Sequence, residues 1–133
     1  MGRPPGYWRD YRKTPNGHRQ MVLSDAKRRA KKQGVPYDLT TEDFVFPPSC
    51  CPVCNVGLVL GSEEPWTSPS LDRIVPEAGY VTGNVEWLCS RCNRLKSNAS
   101  ASDMYQLADW LYERYRERGI PCVTPLRPKG AAK

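Results

Sequence analysis

The sequence has little that would place the chain in a membrane or outside the cell. No apolar run approaches the ~18 residues that a membrane-spanning helix needs. The first ten residues, MGRPPGYWRD, contain no hydrophobic segment for export, and no internal repeat is present. These absences predict a soluble, cytoplasmic protein, and 133 residues is the length of one domain.

Histidine is nearly absent, with one copy at position 18. A lone histidine is more often an ordinary surface residue than a catalytic one, and we expect this of His18. Cysteine, by contrast, occurs six times. A disulfide framework requires a secreted context, which the start of the chain does not indicate, so metal binding is the favoured use of these thiols.

Four of the cysteines form two Cys-x-x-Cys pairs, Cys51 with Cys54 and Cys89 with Cys92. Two such pairs complete a tetrahedral shell of four sulfurs with no open position, which is typical of a structural zinc site. Cys50 competes with Cys51 as a ligand, but the spacing favours Cys51. The 34 residues between the pairs exceed the ~15–20 of a simple zinc ribbon, so a folded segment must lie between them.

The segment between the pairs reads as strand, loop, strand and helix. Residues 71–74 and 85–88 have the pattern of two strands, Gly79 and Gly83 mark the turn, and a helix follows over 90–97. This order brings Asp72 near Asn93. A carboxylate and an amide oxygen are hard ligands that suit Mg²⁺, with water and substrate phosphate in the remaining positions.

Charge is distributed unevenly along the chain. Residues 1–33 carry ten basic and two acidic side chains, residues 34–88 one basic and eight acidic, and residues 89–133 nine basic and four acidic. Basic ends around an acidic middle indicate a polyanion held by the ends and a divalent cation attracted to the middle. A solvated charged surface is the equally open alternative.

The N-terminal third predicts an arm and then a basic helix. Residues 1–20 show no periodicity and are expected to be extended, with Tyr7, Trp8 and Tyr11 either packing on the domain or stacking on bases. From position 21 an amphipathic helix runs to Gly34, with Val22, Ala26 and Ala30, and Leu23 beside them, on its apolar side. Its basic side chains contact phosphate or form a solvated face; they are Lys27, Arg28, Arg29, Lys31 and Lys32.

Three further elements are predicted outside the central segment. Residues 39–44 look like a short helix capped by Thr40 or Thr41, and residues 56–60 like a strand or hairpin arm. A helix from Ser102 to Arg118 carries core-forming apolar positions with the spacing i, i+3, i+4, i+7. The chain then ends in a flexible basic tail over residues 119–133.

The motifs CPVC, SLDRI, GYVTGNV and CxxCNRLKS follow one another in this order. In this combination the sequence resembles the HNH endonucleases, also called His-Me finger or ββα-metal nucleases, of the small phage and bacterial type with a four-cysteine zinc clip. The resemblance implies an α+β fold in which a ββα-metal finger is flanked by an N-terminal basic helix and a C-terminal amphipathic helix. The resemblance covers roughly residues 21–100, and we expect the nuclease domain to span residues 21–118.

The resemblance implies roles for four residues. Asp72 matches the first metal-binding acid of the family, Asn84 the asparagine that braces the loop between the strands, and Asn93 the second metal ligand. Position 73, where the family has the histidine that activates the attacking water, is Arg73. Arginine stays protonated at neutral pH, so a step typically worth about 10²–10⁴ in rate is weakened or lost.

Several groups are open as replacements for that histidine. His18 folded over the site, or Tyr80 or Glu86 acting through water, are candidates for the base, and Arg73 itself is a candidate clamp for phosphate or for the charge of the transition state. On the helix, Arg94 and Lys96 either contact phosphate or form a solvated face.

The implied function is a DNA endonuclease or nickase that uses catalytic Mg²⁺ or Mn²⁺ and structural Zn²⁺. In the phage setting, the implied partners beyond DNA are packaging or recombination proteins, and the implied location is the cytoplasm of the bacterial host. The competing hypothesis is a zinc-stabilised nucleic-acid-binding or phage structural module that has lost catalysis together with its histidine.

Overall fold

The computed structural model describes residues 2–121. Over these residues the chain forms four α-helices, one short 3₁₀ helix and a two-stranded sheet, so the predicted small α+β fold is confirmed. In chain order the elements are α1 (Tyr7–Arg12), α2 (Pro15–Gln33), β1 (Pro69–Arg73), the 3₁₀ helix (Pro76–Ala78), β2 (Val85–Cys89), α3 (Ser90–Lys96) and α4 (Ala101–Glu117). Among the described residues, no helix is both long enough and apolar enough to cross a membrane.

The chain divides into two compact units, Met1–Asn98 and Ala99–Lys133. The first unit contains the ββα element that the sequence predicts. Strands β1 and β2 pair antiparallel with Asp72 opposite Glu86, and α3 begins at the residue after β2 ends. The Cys89 thiol accepts a hydrogen bond from the Cys92 amide at the start of α3, so this cysteine also caps the helix.

The expectation that residues 1–20 are extended is wrong. Helix α1 lies within this segment, and α2 begins at Pro15, so the boundary predicted between residues 20 and 21 falls inside a helix. The local signal for α2 is polar: the Thr14 hydroxyl accepts a hydrogen bond from the Gly17 amide at 3.1 Å, and proline suits the first helical position. Its end at Gly34, which adopts a left-handed conformation, is as predicted.

Two small clusters of buried side chains hold the first unit together. One surrounds the paired cysteines and includes Leu88. The other joins Ala26 and Ala30 of α2 to Tyr80 in the loop between the strands, which confirms the predicted buried face of α2. Trp87 lies buried beside Phe44, and its indole N–H donates to the Val45 carbonyl at 2.8 Å.

The segment after α2 is tied to the loop between the strands. Tyr37 and Tyr80 form a parallel bridge, the Tyr80 amide donates to the Pro36 carbonyl at 2.9 Å, and the Thr82 amide donates to the Asp38 carboxylate at 2.8 Å. The loop is therefore anchored to α2 as well as to its own strands.

Two predicted elements of the first unit do not form a regular helix or strand. Residues 39–44 form a turn and no helix, although the Thr40 hydroxyl does accept a hydrogen bond from the Asp43 amide at 3.2 Å, as a cap would. The predicted strand at 56–60 is reduced to an isolated antiparallel bridge between Cys50 and Gly57, which makes it a hairpin arm.

Helix α4 belongs to the second unit. Its cap is Ser100, not the predicted Ser102: the Ser100 hydroxyl and the Asp103 carboxylate exchange hydrogen bonds with each other's backbone amide. The prediction that α4 forms core is wrong, because none of its residues is buried. It is the one helix among the described residues of its unit, so no second element of that unit covers its apolar side. The predicted tail lies, from position 122 on, outside the described residues.

Candidate metal centres and active site

The four paired cysteines come together as predicted. The sulfur atoms of Cys51, Cys54, Cys89 and Cys92 all lie within 4.8 Å of one another, while Cys50 is exposed and outside the group. The Cys89 amide donates to the Cys51 sulfur at 3.3 Å. Four sulfurs at these distances form a closed set of soft ligands able to hold a metal ion.

The thiols of this cluster differ in acidity. Burial raises the pKa of Cys51, but hydrogen bonds from neighbouring backbone amides outweigh burial and bring the pKa to about 7. Burial and the adjacent cysteines raise the pKa of Cys92. Because thiolates this close repel one another, the cluster can be fully deprotonated only with a cation among the sulfurs.

A second polar site lies between β1 and α3. Asp72 is 6% exposed, and its Oδ1 atom lies 3.1 Å from the Lys96 ammonium nitrogen. Lys96 also donates to the Arg73 carbonyl at 2.8 Å. One turn earlier on α3, the Asn93 side-chain amide donates to the Ser70 hydroxyl at 2.7 Å.

Periodicity explains why these groups meet. Ser70 and Asp72 are two apart on a strand and share a face, whereas Asn93 and Lys96 are three apart on a helix and share a face. The sheet and α3 therefore bring the Asp72 carboxylate and the Asn93 amide to one interface. The Asn93 Oδ1 atom accepts no hydrogen bond from any described residue, so its oxygen is available to a ligand.

The electrostatics of this interface suit a cation. Burial raises the pKa of Asp72, and the nearby Lys96 and Arg73 oppose that rise. A buried carboxylate on β1 that already accommodates an ammonium group at 3.1 Å, and an amide oxygen on the facing helix, are donors of the kind that a hard divalent ion prefers. Asp72 and Asn93 are the residues that would hold it.

Asn84 links the two sides of the loop between the strands. Its side chain accepts from the Val75 amide at 3.0 Å and donates to the Val75 carbonyl at 2.9 Å and the Gly79 carbonyl at 2.7 Å. One side chain thus fixes both the exit from β1 and the turn at Gly79, and thereby the geometry of the strand that carries Asp72.

Arg73 is directed away from the interface between β1 and α3, as its strand position requires. Its guanidinium donates to the Pro76 carbonyl at 3.1 Å and to the Asn98 side chain at 3.0 Å, and it lies 5.2 Å from the centre of the Tyr80 ring. These contacts connect the loop to the end of the ββα element.

The other candidates for a base occupy different surroundings. Tyr80 is 4% exposed and packs on α2. Glu86 is exposed and lies directly opposite Asp72 in the sheet, so it is the nearest exposed carboxylate across the strands. The expectation that His18 is a surface residue is wrong: it is 3% exposed and stacks on Trp87, with ring centres 5.6 Å apart.

The basic side chains fall into two groups. Those predicted on α2 are all exposed, and one of them, Arg28, pairs with Asp25 at 3.1 Å. Arg94 is likewise exposed on α3. Lys96 was predicted either to contact phosphate or to lie on a solvated face, but its ammonium instead neutralises Asp72. Its position three residues after Asn93, on the same side of α3, is the sequence feature that could have indicated this contact.

Together the fold and the two sites define a small α+β protein with a ββα element, a four-cysteine metal cluster and a polar interface between the first strand and the following helix. No family model matches the chain, and no curated protein does. The structure is similar to a solved structure of the rare-cutting HNH restriction endonuclease PacI, with a TM-score of 0.51 and 24% sequence identity over 77% of this chain and 82% of that chain. The predicted resemblance to HNH endonucleases is thereby confirmed at the level of the fold.

Proposed function

We propose that the chain is a DNA endonuclease or nickase of the HNH type that depends on Mg²⁺ or Mn²⁺. The observation that carries this proposal is that the ββα element places the buried Asp72 of β1 and Asn93 of α3 at one strand–helix interface, where Lys96 contacts Asp72 and Asn93 contacts Ser70. The ββα fold shared with an HNH restriction endonuclease supports it. The motifs also resemble those of small phage and bacterial HNH proteins, so we propose a phage setting with a role in packaging, recombination or homing.

Each group has a proposed role. Asp72 and Asn93 hold the divalent ion, which when bound polarises the scissile phosphate and stabilises the leaving oxygen. Asn84 and Arg73 position the loop behind Asp72, and the exposed basic face of α2 contacts the DNA backbone. The four cysteines hold Zn²⁺ and keep β2 and α3 in place.

The test is cleavage of supercoiled plasmid by the zinc-loaded protein with Mg²⁺ or Mn²⁺. We expect nicking that falls by more than about 100-fold in Asp72→Asn and in Asn93→Ala, because losing even the groups behind metal ligands typically costs 10–100-fold. Glu77→Gln, which removes an exposed acid of the same loop, is the matched control. Absence of nicking in every metal, or nicking unchanged in both variants, contradicts the proposal.

A second function is favoured by a specific observation. Lys96 already neutralises Asp72, and Arg73 stands where the family has its base, so a DNA-binding module without catalysis also fits the site. In that case DNA affinity falls steeply with salt, and plasmid stays supercoiled with Mg²⁺ and with Mn²⁺. Binding measured at several salt concentrations beside the nicking assay separates the two functions.

A further inference from the structure

A cleft of about 360 Å³ opens on the first unit, beside the start of β1. One wall is α1 and the start of α2, and the other is the loop that leads into β1. We call it the α1 cleft. The residues that define it are Arg9, Arg12, Lys13, His18, Ser62 and Ser68.

The charge of the α1 cleft is positive. Arg9 and Arg12 are three apart on α1 and therefore project on the same side of it, with Lys13 beside them. None of these three cations forms an ion pair within residues 2–121, and Glu63 is the one acid lining the cleft over that range. Unpaired guanidinium and ammonium groups on one wall are suited to bind a phosphate.

The two walls are held in contact at Gly61. A Cβ atom at this position would lie 2.6 Å from Cγ of Lys13, so the absence of a side chain is what lets the loop approach α1. On the loop side, the Ser62 hydroxyl is fixed at 2.6 Å from the Thr67 hydroxyl. The Ser68 hydroxyl makes no hydrogen bond with a described residue and is available as a donor.

His18 forms the inner wall of the cleft. It is 3% exposed, and its Nδ1 atom has no hydrogen-bond partner within the described part of the chain. Trp87 stacks against the imidazole and holds its orientation. Buried polar atoms without partners are rare in folded proteins, and one beside three unpaired cations indicates a polar ligand.

We propose that the α1 cleft binds a backbone phosphate of the DNA strand that is cut, a short distance along that strand from the scissile phosphate. Pro69 lines the cleft and lies three residues before Asp72 on β1, which is roughly 10 Å at about 3.3 Å per strand residue. The cleft therefore lies close enough to Asp72 to hold a phosphate of the same strand within a few nucleotides of the scissile one. This assignment rests on the proposed nuclease function, because it takes Asp72 as the place of cleavage.

The experiment uses the presence of one histidine in the sequence. In the full chain without added histidines, every imidazole NMR resonance belongs to His18. Duplex DNA of about 20 base pairs is titrated into the zinc-loaded protein with no other divalent ion. We expect the imidazole resonances to shift and to saturate together with DNA binding measured by fluorescence anisotropy.

Arg9→Gln combined with Arg12→Gln is expected to abolish the imidazole shift. It is also expected to reduce the slope of log K against log salt by about one, since the cleft holds one phosphate and each phosphate that is no longer neutralised removes about 0.9. Lys31→Gln combined with Lys32→Gln removes the same charge from the exposed end of α2 and is the matched control. It lowers DNA affinity but retains the imidazole shift. Zinc content and circular dichroism spectra are measured to check that both variants fold.

Two outcomes overturn the assignment. One is an imidazole shift that is absent with DNA or unchanged in the Arg9/Arg12 variant. The other is a shift produced by inorganic phosphate at matched ionic strength but not by DNA, which would make the cleft a site for free phosphate. Plasmid nicking is measured separately. A protein that does not nick plasmid but shows the imidazole shift with DNA contradicts only the proposed nuclease function. A protein that nicks plasmid without the imidazole shift contradicts only the proposed phosphate site in the α1 cleft.

Discussion

Lys96 is a cation covalently tethered beside the candidate metal ligand. Its ammonium contacts both the Asp72 carboxylate and the Arg73 carbonyl, and its charge opposes the rise that burial causes in the pKa of Asp72. A divalent ion that binds Asp72 has to displace this ammonium or share the carboxylate with it. Lys96 therefore competes with the ion that the proposed nuclease requires.

Lys96→Met is expected to tighten binding of Mn²⁺ to the zinc-loaded protein by about tenfold at pH 8. The reason is that a hydrogen bond to a charged group, typically about 1.5–3 kcal/mol, no longer has to be broken. Isothermal titration calorimetry measures this affinity, and Arg94→Met on the exposed side of α3 is the control. Unchanged or weaker Mn²⁺ binding in Lys96→Met would show that the ammonium does not compete.

His18 gives folding a pH dependence whose sign follows from its burial. Burial lowers the pKa of His18 from 6.5, so the unfolded chain binds a proton at a pH where the folded chain does not. The contribution of His18 to stability is complete above about pH 6.5 and is lost as pH falls from there toward the folded-state pKa.

Thermal unfolding between pH 7.5 and pH 5.5 tests this expectation. The melting temperature of the wild type should fall more steeply over this interval than that of His18→Gln, which has no imidazole to protonate. Effects of acid on the cysteine cluster occur in both proteins and cancel in the difference. Parallel pH profiles would mean that His18 has the same pKa in the folded and unfolded states.

At the scale of elements, the loop between the strands depends on Gly79. Its φ is +82° and its ψ is −168°, a region of backbone conformation that is essentially confined to glycine. A Cβ atom there would lie 2.2 Å from the Pro36 carbonyl oxygen, which accepts the Tyr80 amide. Both the conformation and the contact with the segment after α2 exclude a side chain.

Gly79→Ala is expected to cost more than about 3 kcal/mol of unfolding free energy, because backbone strain of about 1–3 kcal/mol adds to the displacement of Pro36. Gly83→Ala is the matched control in the same loop: its φ is +89°, but a Cβ atom would have nothing within 4 Å. We expect it to cost about 1–2 kcal/mol. Equal losses in urea unfolding would contradict the importance of the Pro36 contact.

The elements that could be predicted are those with a local signal. Cysteine spacing, the strand patterns and the glycines of the turn predicted the ββα order within a residue or two of its observed bounds. Helix α1 was missed because it has only six residues, too few for the spacing of its aromatic side chains to be distinguished from that of a loop. Residues 39–44 contain a cap but no helix, because Phe44 packs on Trp87 and the Val45 carbonyl accepts the Trp87 indole N–H, which draws the chain into a tertiary contact.

The same distinction holds for the candidate site. The positions of Asp72, Asn84 and Asn93 in the ββα element could be predicted from motifs, because they follow from the order of elements; their roles stay predictions. The Lys96 contact with Asp72 depends on the distance between a strand and a helix 24 positions apart in the chain, and the burial of His18 depends on Trp87 lying across it. Neither the contact of Lys96 with Asp72 nor the burial of His18 follows from a local sequence pattern.

At the scale of the whole molecule, the described part of the chain has little apolar core. Its largest fully buried side chains are two of the clustered cysteines, Cys51 and Cys89. The cluster ties the hairpin at Cys50 and Gly57 to the end of β2 and the start of α3. A small core built around thiols derives much of its stability from the bound metal, since metal binding is then coupled to folding.

Removal of zinc is therefore expected to unfold the Met1–Asn98 unit. Cys89→Ser should bind less than one zinc ion per chain and lose its cooperative thermal transition, whereas Cys50→Ser should retain one zinc ion and a transition close to that of the wild type. Cys50 is the matched control because it lies next to the cluster in sequence but outside it in space.

Zinc is quantified by mass spectrometry, and unfolding is followed by circular dichroism with and without a chelator. A chelated protein that keeps the wild-type transition would show that the sulfur cluster is not what holds β2 and α3 in place, and the positioning of Asp72 and Asn93 would then have to come from the side-chain contacts between β1 and α3 alone.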